Sequence, residues 1–135
     1  MYPKQVIVVR TDLRNTQGHK VRTGKLIAQA AHASMGALLS LKIPTNDPCK
    51  LVLDISDDAV YEWLDGSFTK IALAANNEAT LHELYANALA AGIPSVLITD
   101  NGQTEFGGVK VVTALAIGPA WADRIDEITT GLSLL

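Results

Sequence analysis

The sequence predicts an α/β protein, with a single domain over residues 1–135 and a four-stranded mixed β-sheet flanked by α-helices on both faces. A chain of 135 residues that is 48% hydrophobic is globular and suffices for one buried core. Short β-branched runs alternate with helical segments, an order that implies right-handed crossovers and a largely parallel sheet. Only residues 100–108 separate the last two strands, too few for a crossover helix, so the last strand is expected to run antiparallel.

The first third of the chain predicts a strand, a long loop and a helix. Residues 5–10 centre on Val-Ile-Val-Val, which is typical of a buried strand. Residues 11–24 are polar without hydrophobic periodicity and predict a loop, and long loops in compact domains are often functional. Residues 25–41 follow the 3.6-residue period of a helix. Residues 50–55 are apolar but short, which fits a strand or irregular structure.

Two further helices have recognisable start signals. Ser56 is the expected N-cap of a helix over residues 57–64, which carries aspartates in its first turn. Asn77 is expected to cap the next helix, which Gly92 and a following proline end.

The remaining strands are short apolar runs. Residues 69–75, 95–99 and 109–117 each predict a strand. Gly118 and Pro119 then open a last short helix.

Composition excludes several classes of protein. A lone cysteine, Cys49, cannot form an intramolecular disulfide, so we expect a reducing, cytoplasmic environment. Polar residues interrupt the two longest uncharged stretches, so no membrane span is expected.

The charge is strongly segregated along the chain. The whole chain carries 11 basic and 14 acidic residues, a net charge of −3. Residues 1–25 contain six basic residues and one acidic residue, a net +5, which leaves −8 for the rest. A positive segment on an acidic body suggests that one face meets an anion, although a solvated loop with accidental clustering explains it too.

The carboxyl ends of the parallel strands are the expected place for a site. The loop after the first strand leads to Lys25, and the loop after residues 95–99 carries Asp100 and Thr104. A cation in the first turn of a helix opposes the helix dipole, so an anion shared by Lys25 and the helix end is one explanation and a solvated lysine the other. Asp100 stands before Asn-Gly, where it either supports a turn or orients water and accepts a proton.

Other polar residues are weaker candidates. Gln29 and His32 share one helix stripe with Lys25, and His32 alone is more often structural. Thr113 lies on a strand, at a depth that weakens a catalytic interpretation. No metal-ligand spacing, P-loop or dinucleotide fingerprint is present, so neither a metal nor a cofactor is expected.

Five segments together resemble the type II peptidyl-tRNA hydrolases of archaea and eukaryotes. They follow the family's order along nearly the whole chain: residues 5–13 (QVIVVRTDL), 24–33 (GKLIAQAAHA), 100–105 (DNGQTE), 113–119 (TALAIGP) and 126–135 (DEITTGLSLL). The resemblance implies a four-stranded mixed sheet with flanking helices. It also implies metal-independent hydrolysis of the ester that joins a peptidyl or N-blocked aminoacyl group to tRNA, which recycles the tRNA.

The resemblance also implies roles for individual residues. The family's functional lysine, aspartate and two threonines fall on Lys25, Asp100, Thr104 and Thr113, and its helix residues on Gln29 and His32. Residues 15–23 are longer than the family's usual turn, so its cationic surface is expected in that loop. The residues expected to contact tRNA phosphates are Arg14, Lys20 and Arg22.

In the resulting hypothesis Asp100 orients water, with Thr104 as an intermediary, and Lys25 stabilises negative charge or holds the terminal phosphate or ribose. Thr113, Gln29 and His32 shape the pocket. The partner is peptidyl-tRNA or an N-acyl-aminoacyl-tRNA, and a homodimer is a possible assembly. Two alternatives stay open: a non-catalytic RNA- or anion-binding module with the same fold, and an enzyme for another acylated small substrate.

Overall fold

The computed structural model describes residues 1–135 as an α/β fold with four helices and two sheets. The helices and strands have the following bounds: β1 Pro3–Arg10, α1 Thr23–Leu39, β2 Lys42–Ile43, β3 Val52–Leu53, α2 Asp58–Asp65, β4 Lys70–Ala75, α3 Glu78–Ala90, β5 Ser95–Asp100, β6 Val111–Trp121, α4 Ala122–Thr129 and β7 Ser133–Leu134. None of the four helices is both long and apolar enough to cross a membrane.

The main sheet is mixed, as the sequence predicts, but it has five strands rather than four. Its order is β5-β6-β1-β4-β7, with β1 and β4 parallel and the other neighbours antiparallel. The strand that the sequence analysis missed is β7, which pairs only Ser133 and Leu134 with β4. Two residues are too few to give a periodic signal. A separate hairpin pairs β2 with β3, and so resolves the ambiguous residues 50–55 as a short strand.

The core forms two layers, one on each face of the sheet. Alternation along β1 sends Val6 and Val8 toward one face and Ile7 and Val9 toward the other. The first face is covered by leucines of α3 and by Ile125 of α4. On the second face α1 packs through small alanines of the helix and of β6, so its backbone lies close to the sheet. Helices therefore cover both faces, as predicted.

Two predicted helix starts were wrong. The cap of α2 is Asp57 rather than Ser56: its carboxylate accepts the backbone N–H groups of Ala59 and Val60, while Ser56 bonds to Asp54. The last helix begins at Ala122, because residues 118–121 continue β6 along β1. The Gly118–Pro119 bond is cis. The Asn77 cap is confirmed, since its side chain accepts the N–H of Thr80.

This topology brings four backbone segments to one edge of the sheet. The strands β1 and β5 end there, β6 begins there, and α1 starts after the loop that leaves β1. We call this edge the carboxyl edge. Residues 11–22 fold over it as a hairpin-like loop in which Arg14 and Lys20 form an isolated antiparallel bridge.

Candidate active site

An ion pair lies at the centre of the carboxyl edge. Lys25, in the first turn of α1, places Nζ 3.0 Å from Oδ1 of Asp100 at the end of β5. The same ammonium group donates to Oγ1 of Thr104 over 2.8 Å. The side chains of Lys25 and Asp100 are only 13% and 10% exposed. The three residues that the sequence places at two distant loops are therefore in direct contact.

A buried hydrogen-bond chain supports Asp100 from below. The hydroxyl of Thr113 donates to Oε1 of Gln29 over 2.6 Å, and Nε2 of Gln29 donates to Oδ1 of Asp100 over 3.3 Å. Thr113 and Gln29 are both buried. The depth that weakened Thr113 as a candidate does not separate it from the site, because Gln29 bridges the gap.

The other carboxylate oxygen of Asp100 is fixed by its own loop. Gly102 donates its backbone N–H to Oδ2 over 2.9 Å. Burial by itself raises the pKa of Asp100, but the hydrogen bonds from Lys25, Gly102 and Gln29 and the charge of Lys25 together hold that pKa below its ordinary value. Asp100 is therefore a carboxylate at neutral pH.

Two residues that sequence reasoning missed hold the loop of Thr104 against α1. Glu105 is buried, and its carboxylate accepts Nε of Arg22 over 2.8 Å and the backbone N–H of Arg22 over 3.4 Å. Phe106 packs with Leu13 and Val21 in a small apolar cluster, and Nζ of Lys25 lies 5.9 Å from its ring centroid. The pairing of an acid with an aromatic residue after Thr104 was the only signal in the sequence.

The remaining predicted site residues lie outside this network. His32 is exposed and makes no hydrogen bond within the chain. Arg14 and Lys20 are exposed on the hairpin-like loop and form no ion pair. Arg22 is 78% exposed although Glu105 holds it.

Most of the positive charge in the first 25 residues is neutralised locally. Four of its six cations have carboxylate partners: Lys4 pairs with Asp126, Arg10 with Asp12 and Glu78, Arg22 with Glu105 and Lys25 with Asp100. Arg14 and Lys20 are the two without one. The segregation of charge along the sequence therefore overstates the free positive charge at this edge.

No group of three or more His, Cys, Asp or Glu side chains is placed to hold a metal ion. The chemistry available from the site residues is that of a carboxylate, an ammonium group and a hydroxyl at the rim of a sheet. A carboxylate can accept a proton from water, and an ammonium group can stabilise negative charge that develops on a neighbouring oxygen. Fold and site together define an α/β protein equipped for hydrolysis.

The comparisons with known proteins identify the family. The model of the peptidyl-tRNA hydrolase PTH2 family matches residues 3–135. The chain is 41% identical over 132 residues to a peptidyl-tRNA hydrolase from Methanopyrus kandleri, covering 98% of this chain and 97% of that one. It is 39% identical to one from Halobacterium salinarum, with 97% and 98% covered.

The chain belongs to the peptidyl-tRNA hydrolase PTH2 family, which confirms both the resemblance and the predicted class of enzyme. A solved structure of a protein of unknown function from Agrobacterium matches with a TM-score of 0.57, over 100% of this chain and 98% of that one. At 14% identity, this match shows a shared fold only.

Proposed function

We propose that the carboxyl edge hydrolyses the ester that joins a peptidyl or N-blocked aminoacyl group to the terminal ribose of tRNA. Water adds to the ester carbonyl, the carbon–oxygen bond to the ribose breaks, and the products are a carboxylic acid and a tRNA that ends in a free hydroxyl. The observation that carries this assignment is the contact of Lys25 with both Asp100 and Thr104.

Asp100 orients water and accepts its proton. A carboxylate offers about four acceptor sites, and Lys25, Gln29 and Gly102 occupy three of them. The open site lies on Oδ2, which accepts only the N–H of Gly102. A water bound there meets an ionised base that the surrounding donors hold in one orientation.

Lys25 stabilises the charge that develops on the carbonyl oxygen. An ammonium group has three N–H donors, and Asp100 and Thr104 take two of them. The third is free for the oxyanion, or for the ribose or phosphate of the substrate. Thr104 is exposed and lies between the ammonium group and solvent, where it can relay a hydrogen bond from water.

Gln29 and Thr113 act as positioning residues. Because the hydroxyl of Thr113 donates to Oε1 of Gln29, the amide nitrogen of Gln29 is directed at Asp100. His32 is retained as a residue that shapes the substrate pocket, although it takes no part in this chain of hydrogen bonds.

The hairpin-like loop at residues 11–22 contacts tRNA phosphates. Arg14 and Lys20 are exposed and unpaired, and Arg22 is exposed on one side while Glu105 holds the other. A cytoplasmic location, a metal-independent reaction and a possible homodimer stay predictions from the sequence. Light scattering in solution tests the last of these.

The test is deacylation of N-acetyl-aminoacyl-tRNA by the wild type, Lys25→Ala and Asp100→Asn. Removing either charged group is expected to lower kcat by about 10²-fold or more. Asp126→Asn is the matched control, because it breaks the ion pair of Lys4 at the opposite edge of the sheet. We expect its kcat to stay within about twofold of the wild type.

The outcomes separate the hypotheses. A folded wild type without turnover contradicts hydrolysis and returns the chain to the non-catalytic alternative, which no observation favours. Full turnover in both variants contradicts the assigned site and leaves the activity standing.

A further inference from the structure

A second, smaller pocket opens at the carboxyl edge beside the ion pair. Its volume is about 150 Å³. The residues that line it come from the end of β1, the hairpin-like loop and the start of α1: Arg10, Thr11, Leu13, Lys20, Val21 and Leu26. Neither the proposed reaction nor the support of Asp100 uses this pocket.

The pocket adjoins the ion pair through shared residues. Leu26 follows Lys25 in the first turns of α1, and Leu13 and Val21 pack against Phe106, above which Nζ of Lys25 lies. A group bound in the pocket is therefore close to any ester held at Lys25 and Asp100.

The pocket combines an apolar wall with an immobilised guanidinium group. Leu13 and Val21 are buried, and they contribute hydrocarbon surface. Arg10 makes four hydrogen bonds, two to the carboxylate of Asp12 and one each to Glu78 and the carbonyl of Val112. Its N–H donors are thus largely occupied within the protein, and what remains for a ligand is the planar face of the group. Proteins stack unpaired RNA bases on such planes.

A free cation stands at the rim of the same pocket. Lys20 is exposed and has no ion-pair partner, whereas Arg10 is neutralised by Asp12 and Glu78. An apolar wall, a flat cation and a free ammonium group correspond to the three parts of a nucleotide that need recognition, which are the two faces of the base and the phosphate.

The size of the pocket selects among the parts of the substrate. Pockets for drug-sized ligands span about 300–1,000 Å³, so this one takes a single ring system rather than a stretch of polypeptide. We propose that it binds one unpaired nucleobase from the acylated, single-stranded end of the tRNA, with Lys20 on the adjoining phosphate. This inference rests on the proposed function, because it assumes that the ester at Lys25 belongs to an RNA end.

Calorimetric titration of the intact protein with two probes tests the base pocket without requiring hydrolysis. One probe is the trinucleotide CCA, and the other is the same ribose-phosphate backbone without bases. We expect the wild type to bind CCA about tenfold more tightly, because stacking of one base contributes about that factor. This comparison needs no variant and so does not depend on how a substitution folds.

Two variants then separate the base from the phosphate. Thr11→Phe fills the pocket from an exposed position, so it should abolish the preference for CCA and raise KM for N-acetyl-aminoacyl-tRNA about tenfold, with kcat within twofold. Lys20→Ala should weaken the binding of both probes by the same factor. Thr45→Phe, at an exposed threonine that does not line the pocket, is the control and should leave both affinities unchanged.

Equal affinity of the wild type for the two probes overturns the proposal, as does a Thr11→Phe protein that keeps the preference for CCA. If the wild type deacylates N-acetyl-aminoacyl-tRNA but shows no preference for bases, only the base pocket is wrong. A wild type that does not deacylate the substrate contradicts the proposed function itself.

Discussion

At the scale of single residues, the site places opposite charges in contact before any substrate is bound. Lys25 and Asp100 neutralise each other, and each keeps one unused hydrogen-bonding position directed away from the pair. An exposed pair of this kind would contribute little, but both side chains are largely buried. Removing one partner leaves the other charge buried and unpaired, so substitutions here are expected to affect stability as well as turnover.

The lowered pKa of Asp100 predicts a pH dependence with a definite sign. The folded state binds the Asp100 proton less tightly than the unfolded chain does, so this carboxylate stabilises the fold above the unfolded pKa, near 3.8, and the contribution is lost as the pH falls through the folded pKa. The difference in unfolding free energy between the wild type and Asp100→Asn should be constant from pH 7 to about 5 and shrink below about pH 4. Urea unfolding at several pH values measures it.

Asp12 does not confuse that comparison. Hydrogen bonds and charge from Arg10 outweigh burial and lower the pKa of Asp12 as well, but both proteins carry Asp12. A difference that stays constant down to pH 3 would contradict the ionised, hydrogen-bonded state of Asp100.

The catalytic candidates could be predicted at this scale, whereas their supports could not. Lys25 and Asp100 stand at a helix start and a strand end, and such positions can be recognised from local sequence. Glu105 looks like an ordinary surface acid of a polar loop. Its burial depends on Phe106 meeting Leu13 and Val21, which are more than 80 residues away in the sequence. A single sequence gives no signal for a contact of that kind.

At the scale of elements, the loop between β5 and β6 decides whether Asp100 and Thr104 face Lys25. Gly102 has a φ of +81°, and a Cβ at this position would lie 1.9 Å from the carbonyl oxygen of Val109. The backbone of Gly102 also connects to both sides of the loop, since its N–H donates to Asp100 and its carbonyl accepts from Gly108. The loop closes tightly only because this position has no side chain.

Gly102→Ala is therefore expected to displace the loop and to lower kcat by about tenfold or more, because the N–H that holds Asp100 shifts with it. Gly108→Ala is the matched control: φ is +82° there, but nothing lies within 4 Å of the added Cβ. It should cost about 1 kcal/mol from backbone strain and leave kcat within twofold. Thermal unfolding and steady-state kinetics of both variants give the two quantities, and equal kcat values would contradict the role assigned to Gly102.

Long periodic elements were predictable, and short ones were not. The four longest strands and the helices α1 and α3 follow from hydrophobic period and capping, whereas the pairing of β7 with β4 is a tertiary contact of two residues. Residues 118–121 were assigned to a helix start because Gly-Pro usually interrupts a strand. In the structure β1 pairs alongside them, and this pairing keeps the chain extended as far as Trp121.

At the scale of the whole molecule, free positive charge is confined to a small surface on an acidic body. The net charge is −3, and within the first 25 residues only Arg14 and Lys20 lack a carboxylate partner. The sequence located the basic segment, but it could not show which cations would be neutralised. Partners such as Asp126 and Glu105 lie about 80 to 120 residues away.

This distribution predicts the salt dependence of substrate binding. Each phosphate contact contributes about 0.7–0.9 to the slope of log KM against log salt concentration, so Arg14→Ala and Lys20→Ala should each lower that slope by about this amount. Lys42→Ala, at an exposed cation of β2, should not change it. Kinetics on N-acetyl-aminoacyl-tRNA between about 50 and 200 mM salt give the slopes. Equal slopes in all four proteins would place the RNA elsewhere.

The antiparallel bridge between Arg14 and Lys20 has a consequence for how such an enzyme can be altered. Both residues sit on a loop whose outer charges hold no other part of the protein in place, while the ion pairs of the same segment stabilise the fold or the reaction centre. Exchanging this loop between relatives, or reversing its charges, would retune the enzyme to a different ionic strength and leave the turnover machinery intact. Adaptation to a saltier or more dilute cell interior would then need changes in one surface turn only.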